Sequence, residues 1–200
     1  MFTGRFVELE PLEQHHLPLI VAALGFDRSS YSLALVPKDA DDAATTVTLR
    51  LAAKANSTWE PFVQRRLSDG AVVGMTNFII LDRWDRYTKT PTSIEIGGTW
   101  LSPSAQRTPI NTEAKFLLMQ HAFEVYGVAR LQIKTDERNA RSRAAIERLG
   151  ATFEGILRNF QPGQGELGEG SPRNTAMYSV IPEQWPPIKA NLQARLDRLG

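Results

Sequence analysis

The sequence predicts a single α/β domain with a central sheet. Three observations lead there. The stretch from Ile94 to Arg158 reads as strand, polar loop, amphipathic helix, strand, short helix and strand. A strand, a crossover helix and a second strand in that order form a local parallel βαβ unit. The segments before it supply further strands and two helices, and those after it supply a closing strand and a terminal helix. Finally, 200 residues fit one domain, and the chain shows no internal repeat or break in composition.

Taken in order, Arg5 to Glu10 reads as a first strand ended by Pro11. Glu13 to Leu24 reads as a helix with Leu17, Ile20, Val21 and Leu24 on one face, its first turn weakened by Pro18. His15 and His16 are adjacent and would point about 100° apart on a helix. That spacing argues for surface histidines over a metal pair. In the loop from Phe26 to Pro37, the residues Tyr31, Leu33, Leu35 and Val36 either line a substrate mouth or pack. Asp39 to Asn56 is a second helix, with Asp39, Asp41 and Asp42 at the end where the dipole favours acid. In the strand from Trp59 to Arg66, Pro61 predicts an edge position or a bulge. Ser68-Asp69-Gly70 is a hairpin turn signal, and Ala71 to Leu81 is the most apolar strand. Asp82 to Pro91 is a charged, aromatic excursion. Its Trp84 and Tyr87 read as rings on a solvated tip, with partner or substrate contact as the rival reading.

Ser93 to Leu101 is the strand that opens the central unit. The helix after it begins at Asn111 as cap, with Glu113 in the first turn. Ala114, Leu117, Leu118, His121, Ala122 and Val125 recur at the spacing of a buried face, and Gly127 suits a left-handed C′ position. From Arg130 to Asp136, Leu131, Ile133 and Thr135 alternate with Gln132, Lys134 and Asp136, which is the period of a strand. The run from Gln161 to Pro172 is a loop holding four of the 14 glycines, spaced too irregularly for a phosphate fingerprint. Asn174 to Ile181 is the last strand. Pro182 to Leu199 is a terminal helix interrupted by Pro186-Pro187, with Ile188, Leu192 and Leu196 on one face.

Composition removes several function classes. The net charge is +1 and charged residues are 22%, so bulk charge does not steer the chain to nucleic acid. Cysteine is absent, which excludes disulfides, thiolate metal sites and a cysteine nucleophile. No stretch approaches the ~18 apolar residues of a membrane span. The first residues, MFTGRFVELEPL, lack a signal-peptide pattern, so a cytoplasmic protein is the expectation.

Chemistry is expected where the first strand of the βαβ unit ends and its helix begins. Backbone N–H groups there have no internal partner, and the helix dipole attracts anions. The loop from Ser102 to Asn111 has no glycine but has Gln106, Arg107, Thr108, Pro109 and Ile110, with Arg107 and Lys115 as counter-charges. From the residues alone, an anion site and an ordinary capped loop both stand.

Several runs fall in a shared order: IEIGGTWL, NTEAK followed by LL and HAFE, TDERNARSRAAIERLGA, EGILR and MYSVIPEQWP. They resemble the GNAT superfamily of acyl-CoA-dependent N-acetyltransferases, most closely its RimJ/RimL-type branch, from Val7 to Leu196. The resemblance implies a mixed central sheet of about seven strands in which a β-bulge splays two parallel strands apart. It implies acetyl-CoA as co-substrate and a primary amine as acceptor, whether a protein N-terminus, a metabolite or an amine antibiotic. It implies no metal, nucleic acid or membrane partner, and it is compatible with a homodimer.

The family's pyrophosphate pattern, Gln/Arg-x-x-Gly-x-Gly/Ala, places Gln106 first, Pro109 on the first glycine and Asn111 on the second small residue. Arg107, Thr108, Ile110 and Thr112 complete that loop. Trp100 and Leu101 end the strand whose backbone carries the pantetheine, and Asn139 matches the asparagine that binds the same arm. The chain departs from the pattern twice. Pro109 lacks an N–H, and Ile146 stands where many members carry a tyrosine that protonates the leaving thiolate. Ser142, one turn after Asn139, is the nearest hydroxyl and the candidate acid. The attacking amine must be neutral although an alkyl amine has a pKa of about 10, so a base is needed. Glu95, on the splayed strand, is the candidate. Two rival readings are a non-catalytic acyl-CoA-binding regulator on the same fold and a protein-interaction module using Trp84, Tyr87 and the terminal helix.

Overall fold

A computed structural model describes residues 1–25, 27–83 and 90–199. Phe26, and Trp84 and Tyr87 of the aromatic excursion, lie outside the described residues. The described strands are β1 (Phe2–Thr3), β2 (Val7–Pro11), β3 (Trp59–Arg66), β4 (Val72–Asp82), β5 (Ser93–Leu101), β6 (Arg130–Asp136), β7 (Thr152–Pro162) and β8 (Pro172–Val180). The helices are α1 (Leu17–Ala23), α2 (Ala40–Ala55), α3 (Ile110–His121), α4 (Ala140–Glu147) and α5 (Trp185–Asp197). The strands form one mixed sheet in the order β1-β2-β3-β4-β5-β6-β8-β7, eight strands rather than the expected seven or so. Among the described strands only β5 and β6 run parallel, joined through α3 as the sequence predicts.

Alternation along β3 sends Phe62 to one apolar cluster and Val63 to another. The first cluster joins the sheet to α3 and α5 through Leu118, Met119 and Leu192. The second joins it to α1 and α2 through Ile20, Val47, Met75 and Trp100. Both sheet faces are therefore covered, and the α3 side is anchored to the chain start by one carboxylate. Glu113 is buried, and it accepts the backbone N–H groups of Arg5 at 2.7 Å, Phe6 at 2.7 Å and Val7 at 2.8 Å. A β-carbon at Gly4 would collide with that carboxylate. Glu113 thus works as a brace between α3 and the turn into β2, beyond the dipole role its position suggests.

Other expectations need correction. Pro109, not Asn111, occupies the N-cap of α3, and Asn111 lies inside the first turn. Val125 is 64% exposed because the helix ends in a π turn, Ala122–Tyr126, which rotates the last positions off the 3.6-residue period. Tyr126 turns inward instead and its hydroxyl donates to Glu60 at 2.8 Å. Gly127 takes the expected left-handed conformation, φ 63°.

Pro61 sits in an interior strand. Its carbonyl accepts from Leu12, just past the end of β2, so the missing N–H faces a place where the β2 ladder has stopped. Pro186 and Pro187 fall in the first turn of α5, where no N–H has an intrahelical partner, so they do not interrupt it. His16 is buried, not a surface residue: its Nδ1 accepts from Glu13 N and its Nε2 meets Glu10, both at 3.0 Å.

Glu113→Ala would leave three backbone donors without their acceptor. The expected loss is about 3 kcal/mol of unfolding free energy, read as a lower urea midpoint with an unchanged slope. Glu113→Gln, which keeps one acceptor oxygen, should fall between.

Candidate active site

The site is built from a fork in the sheet. β5 and β6 pair only at Ser93–Arg130, Ile94–Leu131 and Glu95–Gln132, after which the two strands part. On its other edge β5 stays paired with β4, but the register slips. Met75 faces Trp100 and Asn77 faces Gly97, so Gly98 and Thr99 together oppose Thr76. This is a β-bulge, and it bends the strand away from its parallel neighbour. Gly98 has φ +57°, and a β-carbon there would overlap the Asn77 amide. The fork and the bulge that the family resemblance implies are both present.

A cavity of about 940 Å³ fills the gap. Its walls are β5, the start of α3, α4, one side of α2, and residues of the Tyr31 and Gln164 segments. At the α3 end, Glu113 N is the first amide to find a backbone acceptor, the Pro109 carbonyl at 2.9 Å. The amides of Ile110, Asn111 and Thr112 precede it. Pro109 removes one donor from the usual four, so three remain.

The residues predicted for this loop divide into two groups. Arg107, Thr108, Asn111 and Thr112 line the cavity, with Arg107 held at φ 61°. Gln106 also lines it, yet its side chain is a brace: Nε2 donates to the Leu101 carbonyl at 3.1 Å and Ser30 Oγ at 2.9 Å, and Oε1 accepts from Arg141 at 3.1 Å. Ile110 is buried in the core, with only its amide toward Thr108 Oγ1 at 3.4 Å. The Trp100 side chain is buried in the α1/α2 cluster. The Leu101 carbonyl already accepts from Tyr31 at 2.7 Å and from Gln106, so what remains for a ligand is the unpaired edge of β5 rather than this oxygen.

Asn139 caps α4, its Oδ1 accepting Ser142 N at 3.0 Å. Asn139, Ser142 and the buried Ile146 all line the cavity. Glu95 is 3% exposed at the point of the fork. Its Oε2 accepts from Gln132 and from Lys134, both at 2.9 Å. Oε1 lies against Gly97, where a β-carbon would strike it.

Sequence reasoning gives no role to two of the cavity-lining residues, Arg50 and Arg173; it leaves Tyr31 between lining a substrate mouth and packing, and Tyr31 does both. Lys115, expected as a counter-charge for the loop, sits one turn further in, its Nζ donating to Thr99 Oγ1 on the bulge at 2.6 Å. Burial pulls its ammonium down to about 7, partly opposed by the nearby Glu95. Burial likewise lowers Arg50 to about 10 and lowers Arg173, and it pushes the Tyr31 phenol up. A signal existed for Arg50, which interrupts the mostly apolar run from Val47 to Ala53.

Residues 7–152 match the acetyltransferase (GNAT) domain family. The chain belongs to the GNAT acetyltransferase family. Solved structures agree with this. A structure named as an acetyltransferase from T. thermophilus is 34% identical, with 98% of this chain and 96% of that one covered at a TM-score of 0.79. A GCN5-related N-acetyltransferase from Brucella melitensis is 30% identical, with coverage of 96% and 83% and a TM-score of 0.81. Mycobacterium smegmatis RimJ in complex with CoA-disulfide shares the fold at 20% identity and a TM-score of 0.75, over 94% and 88% of the chains. A search of curated protein sequences finds no match. In this GNAT acetyltransferase no described helix is long and apolar enough to cross a membrane, and the described residues contain no cluster of three metal-ligating side chains.

Lys115 gives the acetyltransferase a testable pH signature. Its folded pKa lies below the value of about 10.4 for a free lysine. Between those two values the unfolded chain holds a proton the native one lacks, so stability rises with pH across that window. Below it the penalty is full and constant. Lys115→Met should therefore be more stable than the parent by about 2–4 kcal/mol near neutral pH, with the two melting curves converging near pH ~10. Parallel curves would show that Lys115 is not a buried, titrating amine.

Proposed function

We propose that this chain moves an acetyl group from acetyl-CoA to a primary amine by direct attack, in the manner of the RimJ/RimL-type branch. The observation that carries this reading is the fork. Past Glu95, β5 keeps one edge paired with β4 and leaves the other facing a cavity beside a helix N-terminus. An unpaired strand edge binds an extended, amide-bearing chain by backbone hydrogen bonds, and the helix N-terminus binds phosphate. RimJ supports the branch assignment through its shared fold and its CoA-disulfide ligand.

The residues present fit acetyl-CoA. The amides of Ile110, Asn111 and Thr112, with Arg107 beside them, would hold the diphosphate. The β5 edge up to Trp100 and Leu101 would hold the pantetheine arm. Asn139 keeps its Nδ2 for the same arm, since Oδ1 is used in capping. Acetyl-CoA supplies the activated acyl group as a thioester. The protein's part is to align the amine with it and to aim a β5 amide at the carbonyl oxygen. Glu95 is the base for the acceptor's proton: it is buried, it lines the cavity, and Lys134 and Gln132 fix its orientation. Ser142 lines the cavity beside Asn139 and is the donor for the leaving thiolate.

A thiol-release assay with acetyl-CoA and a panel of amines tests the reading. Release should depend on the amine, and Glu95→Gln should lower kcat about 100-fold with little change in the KM for acetyl-CoA. Tight binding of acetyl-CoA without thiol release for any amine would replace this reading with the non-catalytic regulator.

A further inference from the structure

The cavity wall carries three buried basic side chains that the transferase reading does not use. Arg50 is 5% exposed, Lys115 5% and Arg173 4%, and all three line the cavity. None forms an ion pair among the described residues. Their partners are neutral. Arg50 Nη2 donates to the Gly98 carbonyl at 3.0 Å, and Nη1 is buried with no hydrogen-bond partner. Lys115 donates to Thr99 Oγ1 at 2.6 Å. Arg173 donates through Nε to Thr175 Oγ1 and through Nη1 to Gln164 Oε1, each at 3.1 Å.

The two carboxylates nearest this wall are already taken: Glu95 by Lys134 at 2.9 Å and Asp136 by Arg138 at 2.7 Å. The wall therefore holds positive charge in excess. Buried basic groups without a counter-charge are unfavourable as cations, and a ligand that brings negative charge would hold all three protonated.

That charge has a place apart from the diphosphate. The α3 amides stand at the start of the helix, whereas Lys115 lies a full turn further in, against the bulge. Arg50 reaches the bulge from α2, on the other face of the sheet, and Arg173, on β8, is tied to the Gln164 segment between β7 and β8. We propose that the acceptor is an amine that also carries an oxyanion, a carboxylate or a phosphate, seated by Arg173 together with Arg50 and Lys115. This rests on the transferase reading and narrows it. Polycationic acceptors such as aminoglycosides would meet like charge here, whereas small amino acids or amino phosphates would neutralise the wall while offering their amine to the thioester.

The test is turnover of matched amines at fixed pH and salt: serine against serinamide, phosphoethanolamine against ethanolamine, with spermidine and kanamycin as cations. The anionic member of at least one pair should have a kcat/KM ten or more times higher, and which pair responds separates carboxylate from phosphate. Arg173→Gln should raise the KM for that anionic amine about tenfold and shrink the acid-to-neutral ratio, with Arg173→Lys intermediate and the KM for acetyl-CoA held. If the arginine variants fail to fold, the matched pairs on the parent protein decide. Equal use of acid and neutral amines, or preference for the cations, overturns the anionic acceptor while leaving the transferase standing. A rise confined to the acetyl-CoA KM also overturns it, since the anion would then be the cofactor's own phosphate. Binding of acetyl-CoA with no amine consumed defeats both readings.

Discussion

The structure depends on how β5 leaves β6. Two parallel strands that could continue pairing instead separate after three residue pairs. Each ladder bond forgone is worth about 1 kcal/mol net, so the separation needs a cause in the chain. The run Glu95-Ile96-Gly97-Gly98-Thr99 provides one. Glu95, on β5, grips Gln132 and Lys134, both on β6, so one carboxylate clasps the strands at the last point where they touch. Gly97 leaves room for the other carboxylate oxygen, and Gly98 supplies the positive φ that the bulge requires. Thr99, pushed out by the bulge, meets Lys115 from α3 and Thr76 from β4. Clasp, clearance, bend and prop follow in five consecutive residues.

The electrostatics follow from this geometry. Opening a sheet exposes backbone donors to a space bounded by low-polarity walls, where charge is weakly screened. Into that space the fold directs a helix N-terminus and three buried cations, and it neutralises the nearby acids with Lys134 and Arg138. The net charge of the whole chain is only +1, so the positive field of the cleft is invisible in composition.

Much of the fold was legible in the sequence. The βαβ unit, α2 with its acidic start, the Asp69-Gly70 hairpin and the left-handed Gly127 all follow from periodicity, the helix dipole and turn chemistry. What failed failed for definite reasons. Periodicity reports burial on one face, so it could not foresee a π turn that shifts the face at Val125. Propensity treats proline as a breaker, so it missed that Pro61 faces the end of a neighbour and that Pro186 and Pro187 fall where no N–H is needed. Local position suggests roles for Glu113 and His16, but their partners are the Arg5–Val7 turn and Glu10, set by tertiary packing. The loop residues Arg107, Asn111 and Thr112 came from a family pattern, and they do face the cavity. The buried cations were readable as residues but not as a group, because they lie on three separate elements.

The Tyr31 corner of the cavity shows how such a group is assembled. The Tyr31 loop, the glycine-rich run and the end of β5 are far apart in sequence and looked independent. In the fold they are one frame. Gly165 lies so close to the carbonyls of Tyr31 and Ser32 that a β-carbon would not fit, and Leu167 N donates to the Ser32 carbonyl at 3.0 Å. Tyr31 in turn donates to the Leu101 carbonyl at 2.7 Å, and Gln106 holds that same oxygen. Gly163, Gly165 and Gly168 thus serve close backbone approach. Gln164, carried on the same run, is what receives Arg173. A substitution that thickens this run would therefore displace Tyr31 and Arg173 together, coupling the end of β5 to a buried cation on β8 through one loop.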